Sequence, residues 1–151
     1  MSFKQGFFIT GGKMKRIITI LALVGFSWSA QAENTGVDES VNIPCGLLGT
    51  VSKIEIGERT LLTDTNSISL YTFDEDKVDE TTCFGGCLNV WPPLIIENAD
   101  LVSEPFGIIE RPDDGRMQLT VNGLPLYYFF QDQNPGDLNG EYPTWRPVPV
   151  L

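Results

Sequence analysis

NSISLYTFDED, residues 66–76, is answered by NGLPLYYFFQD, residues 122–132, and the two align without a gap. At the centre of each stands Leu-Tyr-x-Phe-x-x-Asp: Leu70, Tyr71, Phe73 and Asp76, then Leu126, Tyr127, Phe129 and Asp132. The likeness runs outward in both directions. LLT at 61–63 precedes the first copy and QLT at 118–120 the second, one residue out of step. Each copy runs on to a tryptophan followed closely by proline, Trp91-Pro92 and Trp145-Arg146-Pro147. An ordered phrase of this length, written twice, marks a duplicated unit that buries its apolar face against its copy. The sequence therefore predicts two half-repeats, about 50–96 and 107–149, whose aromatic faces meet.

Residues two apart on a strand share a face. Tyr71 and Phe73 then point one way and Leu70 the other, with Ile68; Tyr127 and Phe129 oppose Leu126 and Leu124 in the same manner. Two apolar faces make these central strands. Asp76 and Asp132 fall three residues past the Phe, where the strand ends. There they are placed to accept hydrogen bonds from loop amides or from a Tyr hydroxyl of the other half. The motif Tyr71, Phe73, Asp76, Tyr127, Phe129, Asp132 reads first as aromatic core with a turn-fixing carboxylate, ahead of a ligand site, because buried aromatics are ordinary core material.

Around this phrase the texture is strand and turn. TVSKIEIG, RTLLTD, GIIERPD and RMQLTVN are short runs rich in Val, Ile and Thr, separated by Gly, Asn, Asp and Pro. Asn122-Gly123 supplies the two positive-φ positions of a type I′ turn and predicts a hairpin over 116–130; Asp114-Gly115 extends it to a three-strand meander. No window keeps a helical apolar period for three turns. Cys87–Trp91 has room for one helical turn before Pro92-Pro93 stops it. The expected fold is all-β: a small single domain, residues 50–151, built from two related β-hairpin half-repeats with at most a short helical turn.

The N-terminus reads differently. Lys13, Lys15 and Arg16 precede an apolar run from Ile17 to Phe26, and Ala30-Gln31-Ala32 suits a signal peptidase. The apolar run is about half of the ~20 residues a membrane span needs. Residues 1–32 are thus expected to be a signal peptide cleaved after Ala32, and Met14 heads a leader of more ordinary length than Met1 does. Glu33 is not a cysteine, so no lipid anchor and no stable membrane anchor is expected. Residues 33–49 read as an acidic leader, loosely ordered over 33–43. The product is expected to be secreted, periplasmic and soluble.

Removing 1–32 leaves six basic against twenty acidic residues, a net charge of −14. Such a surface repels phosphate backbones, so no nucleic acid partner is expected. The chain contains no histidine. That excludes Ser-His-Asp and Cys-His catalysis, His-ligated haem and the usual zinc sites.

Cys83-Phe84-Gly85-Gly86-Cys87 admits three readings. In an exported protein the first is a disulfide staple, whose short loop the two glycines make feasible. The others are a redox-active pair and a soft copper site, the latter short of ligands with Met117 the sole methionine beyond the leader. Cys45 is left over. The loop DQNPGDLNGE, residues 132–141, spaces Asp132 and Asn134, and then Asp137, Asn139 and Glu141, at alternate positions, much as a calcium loop spaces oxygens. Pro135-Gly136 breaks any EF-hand register, and a long polar turn accounts for the same residues. No cofactor is expected beyond these calcium and copper options.

LYTFDED…CFGGCLNVWPPL and RPDDGRMQLTVNGLPLYYFFQDQNPGDLNGE…TW resemble the bacterial secreted-repeat lipoproteins marked by a Tyr-x-[Phe/Trp/Tyr]-x-x-Asp motif. The resemblance covers about residues 50–148. It carries Tyr71, Phe73, Asp76, Cys83, Cys87, Trp91 and Pro92 in the first half. In the second it carries Asp114-Gly115, Gln118, Asn122-Gly123, Pro125-Leu126-Tyr127, Phe129, Asp132, Gly136-Asp137 and Trp145. It implies no particular activity. Many such proteins are lipid-anchored, and this chain departs from them in lacking the anchoring cysteine. The expected role is a non-enzymatic binding or accessory protein of the cell envelope, its partner an envelope protein or small ligand. The alternative is a redox or metal-handling protein acting through Cys83 and Cys87.

Overall fold

The computed structural model describes residues 41–150. The signal peptide read over 1–32, and the leader as far as residue 40, lie outside the described residues. Strands β1 (Val51–Ile56), β2 (Arg59–Asp64), β3 (Tyr71–Phe73), β4 (Phe106–Glu110), β5 (Met117–Val121), β6 (Leu124–Pro125) and β7 (Trp145–Pro147) carry the fold. One short helix, α1 (Cys87–Val90), and two 3₁₀ turns, Cys45–Leu47 and Ala99–Leu101, complete it. The chain is all-β. Its described strands pair antiparallel as β1-β2, β3-β7 and β4-β5-β6.

The β5-β6 hairpin turns on Asn122 (φ 50°) and Gly123 (φ 77°), both left-handed as a type I′ turn requires. The β4-β5 connection is wider than a two-residue turn. Arg111 N–H donates to the Arg116 carbonyl and Gly115 N–H to that of Arg111, both at 2.9 Å.

The two halves repeat a closed ring of backbone hydrogen bonds. Leu62 N–H donates to Val148 (2.8 Å), Val148 N–H to Leu70 (3.1 Å), and Leu70 N–H to Leu62 (3.1 Å). In the second half Leu119 N–H donates to Leu94 (2.9 Å), Leu94 N–H to Leu126 (2.9 Å), and Leu126 N–H to Leu119 (3.0 Å). All six residues are buried.

In each ring the third member comes from the other repeat. Trp145–Val150 lies along the first half: Phe73 pairs with Trp145, Tyr71 with Pro147 and Leu61 with Pro149. Trp91–Ile96 lies along the second half, where Tyr127 pairs with Pro93 and Gln118 with Ile95. The expected half-repeats, about 50–96 and 107–149, therefore do not fold as separate halves; they exchange their C-terminal segments. Proline makes this exchange regular. Pro92, Pro93, Pro147 and Pro149 hold the tails extended. The donors that remain at alternate positions, Leu94, Ile96, Val148 and Val150, all reach carbonyls of the opposite repeat.

Strand alternation sorts the interior into two cores. Leu70 and Leu126 enter an aliphatic cluster with Leu62, Leu94, Leu119 and Val148. Tyr71 and Tyr127 enter an aromatic one with Trp91, Phe129, Trp145 and Cys83. The acidic leader read over 33–49 needs correction in its described part. Val41 bridges to Val150 in parallel, and Val41 and Leu47 are buried in the aliphatic cluster. Burying a Leu or Val side chain is worth about 1.5–3 kcal/mol, enough to hold these apolar residues in place despite their polar neighbours.

Candidate functional site

The centre of the molecule is the meeting of the two Leu-Tyr-x-Phe segments, the first in β3 and the second just past β6, joined by a bridge between Tyr71 and Tyr127. Tyr71 N–H donates to the Tyr127 carbonyl and Tyr127 N–H to the Tyr71 carbonyl, both at 2.9 Å. The side chains then cross. Tyr71 Oη donates to Asp132 Oδ2 at 2.5 Å, and Tyr127 Oη donates to Asp76 Oδ2 at 2.7 Å. Each carboxylate uses its second oxygen to fix its own loop. Asp76 Oδ1 accepts from Thr82 N–H (2.6 Å) and Thr82 Oγ1 (2.9 Å). Asp132 Oδ1 accepts from Asn139 N–H (2.9 Å) and Asn139 Nδ2 (3.1 Å). Tyr127 Oη also meets Thr81 Oγ1 at 2.6 Å.

Burial, then the carboxylate that accepts its hydrogen bond, pushes the Tyr71 phenol well above the usual tyrosine range. Burial does the same for Tyr127; the Thr81 contact opposes the shift and Asp76 adds to it.

Trp91 and Trp145 stack face to face between these tyrosines, ring centroids 3.7 Å apart and planes 2° from parallel. Each Trp also lies on the other repeat's Phe: Phe73 stacks on Trp145 at 4.2 Å, and Phe129 tilts against Trp91 at 4.7 Å. Tyr71 meets Trp91 edge-on at 5.5 Å and Tyr127 meets Trp145 edge-on at 5.1 Å. Gly140 is the close approach that lets this cluster form, because a Cβ there would stand 2.7 Å from Phe129 Cβ.

Cys83 and Cys87 are joined in a disulfide, Cα atoms 5.5 Å apart. Cys83 is buried in the aromatic cluster and Cys87 packs against it. The bridge holds the N-terminus of α1, and the Cys87 carbonyl accepts from Trp91 N–H at 2.8 Å. The staple thus sets the tryptophan's position. Bonded to each other, the two sulfurs offer no thiolate to a metal. Cys45 is a free, exposed thiol.

The carboxylates of the 132–141 loop are turned to the chain's own donors. Asp137 Oδ2 accepts from the N–H groups of Gln133 (3.1 Å) and Asn134 (2.9 Å) and from Asn134 Nδ2 (3.1 Å). The Asn134 and Gln133 backbone amides hold the Asp137 carboxyl below its ordinary range. Glu141 forms a forked pair with Arg59 at 2.8 and 3.0 Å. Among the described residues no three His, Cys, Asp or Glu side chains gather as a metal would require.

One residue escaped the sequence reading. Arg111, given no role within the run GIIERPD, is 1% exposed. Its Nη1 donates to Gln118 Oε1 (2.6 Å), and its Nη2 donates to the Cys83 carbonyl (2.9 Å) and to Asp113 Oδ2 (3.0 Å). A buried guanidinium persists only when neutralised and hydrogen-bonded. Asp113, two residues along the chain, was the available signal. Through these contacts Arg111 ties the β4-β5 loop to the disulfide segment, and Gln118 Nε2 continues to the Leu126 carbonyl at 2.9 Å.

The two repeats differ at one surface corner. Asp74 N–H donates to the Thr144 carbonyl (2.9 Å), and its counterpart Phe130 donates to the Val90 carbonyl (3.0 Å). The Asp74 carboxylate accepts from Arg146 Nε at 2.8–2.9 Å. The position equivalent to Arg146 is Pro92, and the position equivalent to Asp74 is an exposed phenylalanine. Val90 and Tyr142 are exposed with Phe130. Phe130 and Tyr142 both contact Phe129, at 5.1 and 5.9 Å, and Tyr142 meets Trp91 at 6.3 Å. The aromatic core therefore reaches the surface on this side. A cavity of about 360 Å³, lined by Val41, Asn42, Ile43, Leu48, Ser52 and Lys53, shares no residue with this centre.

A family model described as "Secreted repeat of unknown function" matches twice, over residues 58–95 and 107–148. No curated protein and no solved structure matches the chain.

Proposed function

The chain belongs to the secreted-repeat family, and from that premise we propose that it is a non-enzymatic binding or accessory module of the cell envelope, working in the periplasm after cleavage at Ala32. The observation that carries this reading is the corner formed by Val90, Phe130 and Tyr142. The opposite repeat builds the same backbone geometry with the Asp74–Arg146 ion pair, so the fold does not require apolar side chains there. Exposed aromatics of this kind are what a protein interface uses as anchors. The surface charge favours an envelope protein or small ligand with basic groups over any nucleic acid.

The test is a comparison of the mature protein with Phe130→Asp and Tyr142→Ser, each immobilised and exposed to detergent-solubilised envelope extract. A defined partner retained by the native chain and lost with both variants supports the reading. Equal retention on all three overturns it. The competing role, redox or metal handling through Cys83 and Cys87, rests on the disulfide lying in the aromatic cluster. Thiol titration and elemental analysis of the purified chain separate the two: metal bound to reduced cysteines would favour the competitor.

A further inference from the structure

We propose that the aromatic centre accepts single oxidising equivalents and holds them as a tyrosyl radical on Tyr71 or Tyr127, with Asp132 and Asp76 as the proton acceptors. This goes beyond the binding role and does not depend on it.

A phenol gives up an electron readily only if its proton leaves in the same event, because the oxidised phenol is a very strong acid. Both tyrosines satisfy that condition, at 2.5 Å to Asp132 and 2.7 Å to Asp76. Each accepting carboxylate is kept in place by loop donors on its other oxygen. Both phenols are 0% exposed, so a radical formed there is shielded from solvent and from coupling with a second chain.

The tryptophans supply the route. Neutral aromatic pairs prefer offset or edge-to-face contact. Trp91 and Trp145 instead overlap at 3.7 Å with parallel planes, the arrangement that lets two rings share a missing electron. Exposed Tyr142 stands edge-on to Trp91 at 6.3 Å, and from the tryptophan pair the steps to Tyr71 and Tyr127 are 5.5 and 5.1 Å. A continuous aromatic path thus leads from the surface to both buried phenols.

A one-electron oxidant, such as a carbonate or peroxyl radical, takes one electron at the surface and is reduced to its anion. The Tyr71 O–H bond breaks, its proton forms an O–H bond on Asp132, and Tyr71 becomes the neutral radical. Tyr127 and Asp76 offer the same step. Discharge is the reverse: a one-electron reductant of the ascorbate class supplies the electron, and the aspartic acid returns the proton.

The experiment uses the purified mature protein with its disulfide intact and photogenerated ruthenium(III) tris-bipyridine as the oxidant. Transient absorption and electron paramagnetic resonance report the radical. The native chain is expected to give a neutral tyrosyl radical at least about tenfold longer-lived than the urea-unfolded chain gives. In the double variant Tyr71→Phe with Tyr127→Phe, checked as folded by circular dichroism, the long-lived signal is expected to vanish although Tyr128 and Tyr142 remain. Asp132→Asn and Asp76→Asn are expected to slow radical formation in their respective partners. Should the double variant not fold, the native-against-unfolded lifetime comparison alone decides. A radical that decays equally fast in both states, or one that survives loss of both tyrosines, overturns the proposal.

Discussion

Tyr71 and Tyr127 bind each other through their backbones at 2.9 Å in both directions, while each hydroxyl reaches the aspartate that follows the other in sequence. One motif is thereby completed twice, each time with half of its residues from the other repeat. Buried hydrogen bonds to charged groups are the stronger kind, so this crossing locks the repeats together chemically as well as sterically.

Tyr127 should therefore be costly to change in a graded way. Tyr127→Ala is expected to destabilise by ~3–5 kcal/mol, as for truncation of a buried aromatic. Tyr127→Phe keeps the ring and removes the hydroxyl's bonds to Asp76 and Thr81, for about 1.5–3 kcal/mol. Urea unfolding monitored by circular dichroism measures both; equal losses would mean that the ring is not packed as described.

Exchange of the tails predicts damage at a distance in sequence. Leu94→Ala is expected to destabilise by about 2–5 kcal/mol. Its local signature is loss of amide-exchange protection at Leu119, whose N–H donates to Leu94, and at Leu126 in the same ring. If protection fell instead at Leu62 and Leu70, in Leu94's own repeat, the exchanged topology would be wrong.

The disulfide closes a short loop, with four residues of sequence separation. The chain-entropy model gives it about 2 kcal/mol. The double change Cys83→Ala with Cys87→Ala should lower the melting temperature modestly and leave partner binding intact. A variant of unchanged stability that had lost its activity would favour redox chemistry at Cys83 and Cys87 instead.

Alkaline titration provides a fourth check. Tyrosine titrates near 10 in an unfolded chain. In the folded chain burial raises Tyr71, Tyr127 and Tyr128, reinforced by Asp132 at the first and Asp64 at the last. A raised folded value means that the folded state holds its protons more tightly, so its stability is full below pH ~10 and falls as pH rises beyond it. The ultraviolet signal of these three phenolates should appear cooperatively with unfolding. Gradual ionisation of all the tyrosines while the fold persists would contradict their burial.

Several features were legible residue by residue. The period of two along Leu70-Tyr71 and Leu126-Tyr127 sent the leucines to one core and the tyrosines to the other. Asn122-Gly123 named its turn type because few residues accept positive φ. Asp76 and Asp132 were placed at strand ends with two classes of donor open to them. The structure uses both classes, one on each oxygen.

These readings succeed because strand alternation, turn geometry and repetition are local rules, and so an all-β chain of two related units follows from the order of residues alone. Which tail lies on which half does not. WPPLII and WRPVPV offer nearly the same alternation of prolines and free donors. Either pattern suits a ring of the same type, and which ring each tail joins is decided by contacts between segments far apart in the chain. The burial of Arg111 escapes for the same reason. A guanidinium belongs in water until Asp113, Gln118 and the Cys83 carbonyl converge on it, and those partners are brought together from separate parts of the chain by packing.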